Sequence, residues 1–199
     1  MADITWPTSG RAFAPEQQDE GVQWDVEITT ARNGRVYTRA LPGARWVCSL
    51  KMPEDVVAYL TERRQLEALL MSLRGGANRL LLWNLLTPRP RGTLDGSPTL
   101  SAGAAAGATS ASITGASGKT LLRGDRIAIG GQRVMVTADV TLNGAVSFEP
   151  ALRAAASLGS AVGWDKPTTA YVLRDARNVF PARADKLPSI AIDLVEAWP

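Results

Sequence analysis

Arg126-Ile-Ala-Ile-Gly-Gly-Gln-Arg-Val-Met-Val-Thr137 decides the fold class. Apolar and polar residues alternate on both sides of Gly130-Gly131, the period-two pattern of half-buried strands. A Gly-Gly pair accepts the positive φ angles of a tight hairpin turn, so the stretch predicts two antiparallel strands. Downstream, Asn143-Gly144 offers a second turn before Val146-Ser-Phe-Glu149, and Pro150 stops that strand. Upstream, Ser101 to Ser112 is almost entirely Ala, Gly, Ser and Thr and runs into Ile113-Thr-Gly115, which reads as a thin strand with small side chains. Residues 99–164 are therefore expected to form a small antiparallel β-barrel or sandwich.

Beyond this piece the strand pattern continues on both sides. Val22, Trp24, Val26 and Ile28 alternate with polar residues, and Asn33-Gly34 then supplies a turn. Arg35 to Ala40 and Ala44 to Met52 follow as strands, with Ala44, Trp46, Cys48 and Leu50 on one face. Pro53, Glu54 and Asp55 suit the first turn of a helix. Val56, Tyr59, Leu60, Leu66, Leu69, Leu70 and Leu73 then fall on one helical stripe, and Gly75-Gly76 ends it, so a helix over about 53–74 is expected. Glu62 and the Arg63–Glu67 pair are assigned to its solvent face. Arg79 to Trp83 resumes as a strand, and Thr87 to Pro98, dense in turn residues, reads as a domain junction. Thr169 to Arg174 and Ser189 to Val195 are two last strands that return to the first sheet.

The expected architecture is mainly β with one long helix (α+β): a β-sandwich or barrel domain, residues 1–98 plus 165–199, carrying an inserted small antiparallel β-barrel, residues 99–164. The 18 Gly and 12 Pro agree with many short elements joined by turns.

The chain of 199 residues contains no histidine, which removes His-dependent triads and His-bearing metal sites. The one cysteine, Cys48, can form neither an intrachain disulfide nor a thiolate zinc site, and reads as a small core residue. Net charge is +3, with 18 Arg against 4 Lys, an excess that favours planar bidentate pairing and protein interfaces. Runs of basic residues are short, Arg63-Arg64 and Arg89-Pro90-Arg91 being the densest, so direct nucleic-acid binding is not expected. The longest apolar run, Leu80 to Trp83, breaks at Asn84, far short of a membrane span, and the amino terminus lacks the pattern of a secretory signal. Membrane insertion is not expected, and a start in the cytoplasm is.

Catalytic patterns fail on inspection. Gly115-Ala-Ser-Gly118-Lys119-Thr120 ends like a phosphate-binding loop, but the first glycine that loop requires is Ile113. Asp125, in the triplet Arg123-Gly-Asp125, reads as a turn residue accepting backbone amides. Serines have no histidine partner and no Ser-x-x-Lys spacing. Of six tryptophans, Trp24, Trp46 and Trp83 are expected in the core, and Trp6, Trp164 and Trp198 near interfaces. No catalytic, cofactor-binding or metal-binding residue is assigned, and enzyme activity is not expected.

Two stretches resemble tail-tip proteins of tailed bacteriophages. The first comprises Leu41-Pro-Gly-Ala-Arg-Trp46, Leu73-Arg-Gly-Gly-Ala-Asn-Arg-Leu-Leu-Leu-Trp83 and Thr87-Pro-Arg-Pro-Arg-Gly92. The second is Arg123-Gly-Asp-Arg-Ile-Ala-Ile-Gly-Gly-Gln-Arg-Val134 followed by Phe148-Glu-Pro-Ala-Leu-Arg153, where Gly124, Asp125, Gly130, Gly131, Pro150, Leu152 and Arg153 carry the likeness. The chain thus resembles the distal tail protein family. That resemblance implies a virion structural protein forming a homo-oligomeric ring, a hexamer in related phages. The ring joins the tail tube protein to the baseplate hub, receptor-binding parts or tail fibre proteins. It implies assembly in the host cytoplasm and residence at the virion tail tip. A tail-completion or head-to-tail connector protein is the nearer alternative. A carbohydrate-binding module is the remoter one, since residues 99–163 hold a single aromatic, Phe148.

Overall fold

The computed structural model describes the chain except residues 9–12, 42, 55–59, 116, 143, 178–179, 181–187 and 198–199, and the side chains of residues 40, 60 and 62. Among the described residues the protein is mainly β with a single short α-helix. In chain order the first elements are β1 (Asp3–Thr5), β2 (Gln17–Gln23), β3 (Val26–Thr30), β4 (Val36–Ala40), β5 (Arg45–Lys51), α1 (Leu60–Ser72) and β6 (Arg79–Leu82). Next come β7 (Thr99–Leu100), β8 (Ser110–Thr114), β9 (Thr120–Leu121), β10 (Arg126–Ile129) and β11 (Gln132–Val136). The series closes with β12 (Val140–Thr141), β13 (Ala145–Glu149), β14 (Val162–Gly163), β15 (Thr169–Leu173) and β16 (Ala191–Glu196). Contacts divide the chain into Met1–Leu80 with Tyr171–Pro199, and Leu81–Ala170.

The first unit is organised by a six-stranded sheet in the order β1-β6-β15-β16-β5-β2. Its central register sets Ile192 opposite Leu50 and Leu194 opposite Cys48, and Leu50 in turn opposite Gln18. Because side chains alternate across a sheet, this register puts Trp46, Cys48, Leu50, Ile192 and Leu194 on one buried face. Glu196 is also buried there, its carboxylate accepting the Trp46 backbone N–H at 2.9 Å. Leu66 and Leu70 are buried on α1, and Leu73 just beyond its end is buried with them. The helix expected over about 53–74 is shorter at its ends: Pro53 and Glu54 are not helical, residues 55–59 lie outside the described ones, and the described helix runs from Leu60 to Ser72. A single 3-10 turn, Arg74–Gly76, follows, with Gly75 at φ 63°.

Three expectations fail in this unit. Arg63 does not face solvent: it is 2% exposed, with Nε 3.1 Å from Glu67 and Nη1 donating to the Pro188 carbonyl at 2.9 Å. Periodicity marked the polar atom, but the long stem made the position tolerable in a core. Trp6 is not an interface residue but is 1% exposed, edge-on to Phe13 at 6.0 Å, its indole N–H donating to the Phe13 carbonyl. The single strand expected from Val22 to Ile28 is two, broken at Trp24-Asp25, and Trp24 is exposed instead of buried.

The second unit contains a nearly closed sheet in the order β14-β10-β11-β13-β8-β7. Gly130 and Gly131, at φ 58° and 81°, turn β10 into β11 as the sequence predicts, pairing Ile127 with Val134. The sheet curls until its ends meet: Leu100 donates to Ser160 at 3.0 Å, Gly159 donates to Leu100 at 2.9 Å, and Thr99 bridges Ala161. Closure leaves few open edges and an interior narrow enough for side chains to fill. Leu100, Ile113, Leu121, Ile127, Val134 and Phe148 fill it. The tract 101–112 is strand only from Ser110; Ala104 instead bridges Ala156, its small side chain buried. By contacts the turn-rich segment 87–98 lies within this unit, and its Leu94 joins the core. Gly92 is fixed in it by space, since a Cβ there would lie 2.2 Å from the Thr120 carbonyl oxygen.

Candidate functional site

β3 and β4 form a separate two-stranded ribbon. Asn33 and Gly34 make its turn as their residue types dictate: Gly34 adopts φ 79°, and the Asn33 side chain accepts the Arg35 N–H at 3.1 Å. The register pairs Val26 with Ala40, Ile28 with Thr38 and Thr30 with Val36 on one face, and Glu27 with Arg39 and Thr29 with Tyr37 on the other. One face is therefore Val, Ile, Val and Thr, and the other is largely polar. A ribbon of this size does not hold itself together in water, and such an apolar face normally packs on something.

Among the described residues this face is left exposed. Every residue of β3 is exposed. Of nine exposed large apolar side chains among the described residues, five belong to this ribbon or its approach: Trp24, Val26, Ile28, Val36 and Tyr37, each between 44% and 67% exposed. The ribbon continues directly from β2, which ends the strand order of its sheet among the described residues.

A second arrangement lies within the inserted unit. Asp125, 3% exposed, takes the backbone N–H groups of Arg91 and Leu122 at 2.8 Å and of Gly92 at 3.0 Å. It is the amide-accepting turn residue that its setting after Gly124 predicts. Asn84 does the same upstream, accepting from the N–H groups of Leu86 at 3.1 Å and Thr87 at 2.6 Å. Segment 84–92 is thus pinned at both ends, and Lys166 N donates to the Pro88 carbonyl at 2.8 Å between them. Arg89 bonds Asp165 at 2.9 Å and lies over the Trp164 ring at 5.8 Å. Arg89 holds the Asp165 carboxyl below the ordinary aspartate value, chiefly through this hydrogen bond, and its own guanidinium is raised in return.

The remaining residues singled out in the sequence take structural places. Lys119 of the loop resembling a phosphate site pairs with Asp95 at 2.8 Å. Cys48, Trp46 and Trp83 are buried, while Trp164 is half-buried and Trp198 lies outside the described residues. Among the described residues no group of three or more Cys, Asp and Glu side chains could hold a metal ion. No described helix is long and apolar enough to cross a membrane. Sequence reading missed the exposure of the ribbon, for which the mixed fates of Trp24 and Trp46 left no signal. It noted Arg89 and Arg91 but not the basic residues that the fold gathers beside them. No protein-family model and no curated protein matches the chain.

Proposed function

We propose that this chain is a structural component of a bacteriophage tail tip, working as a ring of identical subunits that joins the tail tube to the baseplate hub or receptor-binding parts. The observation that carries this reading is the β3–β4 ribbon, whose Val26, Ile28 and Val36 face stands exposed among the described residues. A second copy supplies such a cover, and a head-to-tail contact repeated by rotation closes a ring. The resemblance of the 41–92 and 123–153 stretches to distal tail proteins supports the setting. Function in this reading lies in subunit affinity, with no chemical step.

Light scattering and native mass spectrometry of the purified chain test it. Wild type is expected to run as a closed oligomer, six copies being the number the resemblance implies. Ile28→Asp combined with Val36→Asp is expected to give a folded monomer with an unchanged far-ultraviolet spectrum. A wild-type chain that remains monomeric at high micromolar concentration, alone and with a tail tube protein, overturns the proposal.

A further inference from the structure

The net charge of +3 is not spread evenly. Residues 81–170 hold eight basic and five acidic residues, whereas the remainder of the chain is balanced at fourteen of each. Five of those eight, Arg89, Arg91, Arg123, Arg126 and Lys166, are tied to one segment. Arg91 Nη2 donates to the Arg123 carbonyl at 2.5 Å, Arg126 Nη1 donates to Thr87 Oγ1 at 3.1 Å, and Lys166 N donates to Pro88. The acids in reach are already engaged: Asp125 is buried and takes three backbone donors, and Asp165 is held by Arg89. Neither the Arg123 guanidinium nor the Lys166 ammonium is in an ion pair among the described residues; Asp139 accepts the Arg123 backbone N–H at 2.6 Å, and the Lys166 ammonium lies over the Trp83 ring at 5.3 Å. Leu86, 58% exposed, adds an apolar anchor beside them. A pinned loop with arginines, a half-buried Trp and an exposed Leu has the composition of a protein-binding surface, and its rigidity lowers the entropy lost on docking.

The first unit offers the matching charge. Register places Asp19, Ser49 and Asp193 in one row across β2, β5 and β16, on the face opposite the core. Asp193 accepts the Ser49 hydroxyl at 2.7 Å and Asp19 accepts Gln17 Nε2 at 2.8 Å, but neither is in an ion pair among the described residues. The next row is Gly21 opposite Val47, where a Cβ at Gly21 would meet nothing within 4 Å. A groove of about 210 Å³ results, lined by Val47, the two aspartates, Glu20 and Arg174. An arginine stem fits an apolar floor while its guanidinium reaches the carboxylates.

We infer that the basic ledge of residues 87–91, 123–126 and 166 docks on the Asp19–Asp193 face of a second copy, a heterologous contact that sets which way neighbouring subunits align. This rests on the self-assembly reading and names a contact distinct from the ribbon. Charge reversal in the full chain tests it, with assembly read by light scattering and folding by circular dichroism. Arg123→Glu with Lys166→Glu leaves the Arg89–Asp165 pair and the Asp125 clamp in place. It is expected to weaken assembly about tenfold or more, as is Asp19→Arg with Asp193→Arg. Carrying all four changes is expected to restore assembly to within about threefold of wild type. Arg123→Gln with Lys166→Gln, a milder change, is expected to fall between. If either reversal assembles like wild type while folded, or the fourfold variant fails to recover, the docking contact is wrong, whereas assembly through the ribbon stands. A wild-type chain that never assembles removes both readings.

Discussion

Asp125 replaces water for three backbone donors at once, and it does so while only 3% exposed. Removing the carboxylate leaves those part-buried N–H groups without their acceptor, each costing on the order of 1 kcal/mol. Asp125→Ala is therefore expected to destabilise the protein by about 3 kcal/mol in urea unfolding. Asp125→Asn, which keeps one acceptor oxygen, is expected to lose roughly half as much. Arg89 and Asp165 present the opposite case, a pair on the surface. Because the folded carboxyl titrates below its unfolded value, the pair's contribution is complete above the unfolded aspartate range and is lost as pH falls through the lowered folded value. Carbon-detected NMR titration should show the Asp165 midpoint rising toward the ordinary value in Arg89→Gln, and also in high salt. The role of Asp125 was legible because a carboxylate after Gly in a turn has few alternatives. Trp6 and Trp24 were not, since an indole's burial depends on what the rest of the fold brings to it.

At the scale of elements, α1 hides a cation. Arg63 replaces an apolar residue in the buried stripe and is held by Glu67 and the Pro188 carbonyl. Truncation strands Glu67 and opens a void, so Arg63→Ala should cost about 3 kcal/mol. Arg63→Met keeps the volume without the charge and should cost distinctly less, the comparison being made by thermal denaturation. The ribbon makes a different point. Alternation from Val22 to Ile28 correctly announced strand, yet the same pattern serves a face covered by its own chain and one covered by another. Periodicity records only that a face is apolar. The break at Trp24-Asp25 was equally invisible, because a polar residue between two apolar ones is what a continuous strand also requires. Hydrogen exchange separates the states: amides of residues 26–40 should exchange rapidly in the Ile28→Asp, Val36→Asp monomer. They should be protected in assembled wild type.

At the scale of the molecule, a chain that leaves its first sheet after β6 and returns to it in β15 was readable from turn signals and from strands left over at the carboxyl end. The inserted barrel was readable from the Gly130-Gly131 hairpin. Its exact limits were not, because the turn-rich 87–98 segment looks like a linker whether or not Leu94 is drawn into a core. The uneven charge was hidden for the same reason: a total of +3 looks unremarkable until the chain is divided. Among the described residues the connected core of the second unit, from Leu94 to Val162, draws on that unit alone. Each unit thus has its own buried apolar set, and local opening of one need not expose the other. Asp125→Ala and Arg63→Ala accordingly become reporters of separate events. Hydrogen exchange read by mass spectrometry should show Asp125→Ala accelerating exchange in β10, β11 and β13 while β5 and β16 keep wild-type protection. Arg63→Ala should give the reverse. If either variant accelerates exchange equally in both sets of strands, the chain opens as one cooperative body and the two cores are not energetically separate.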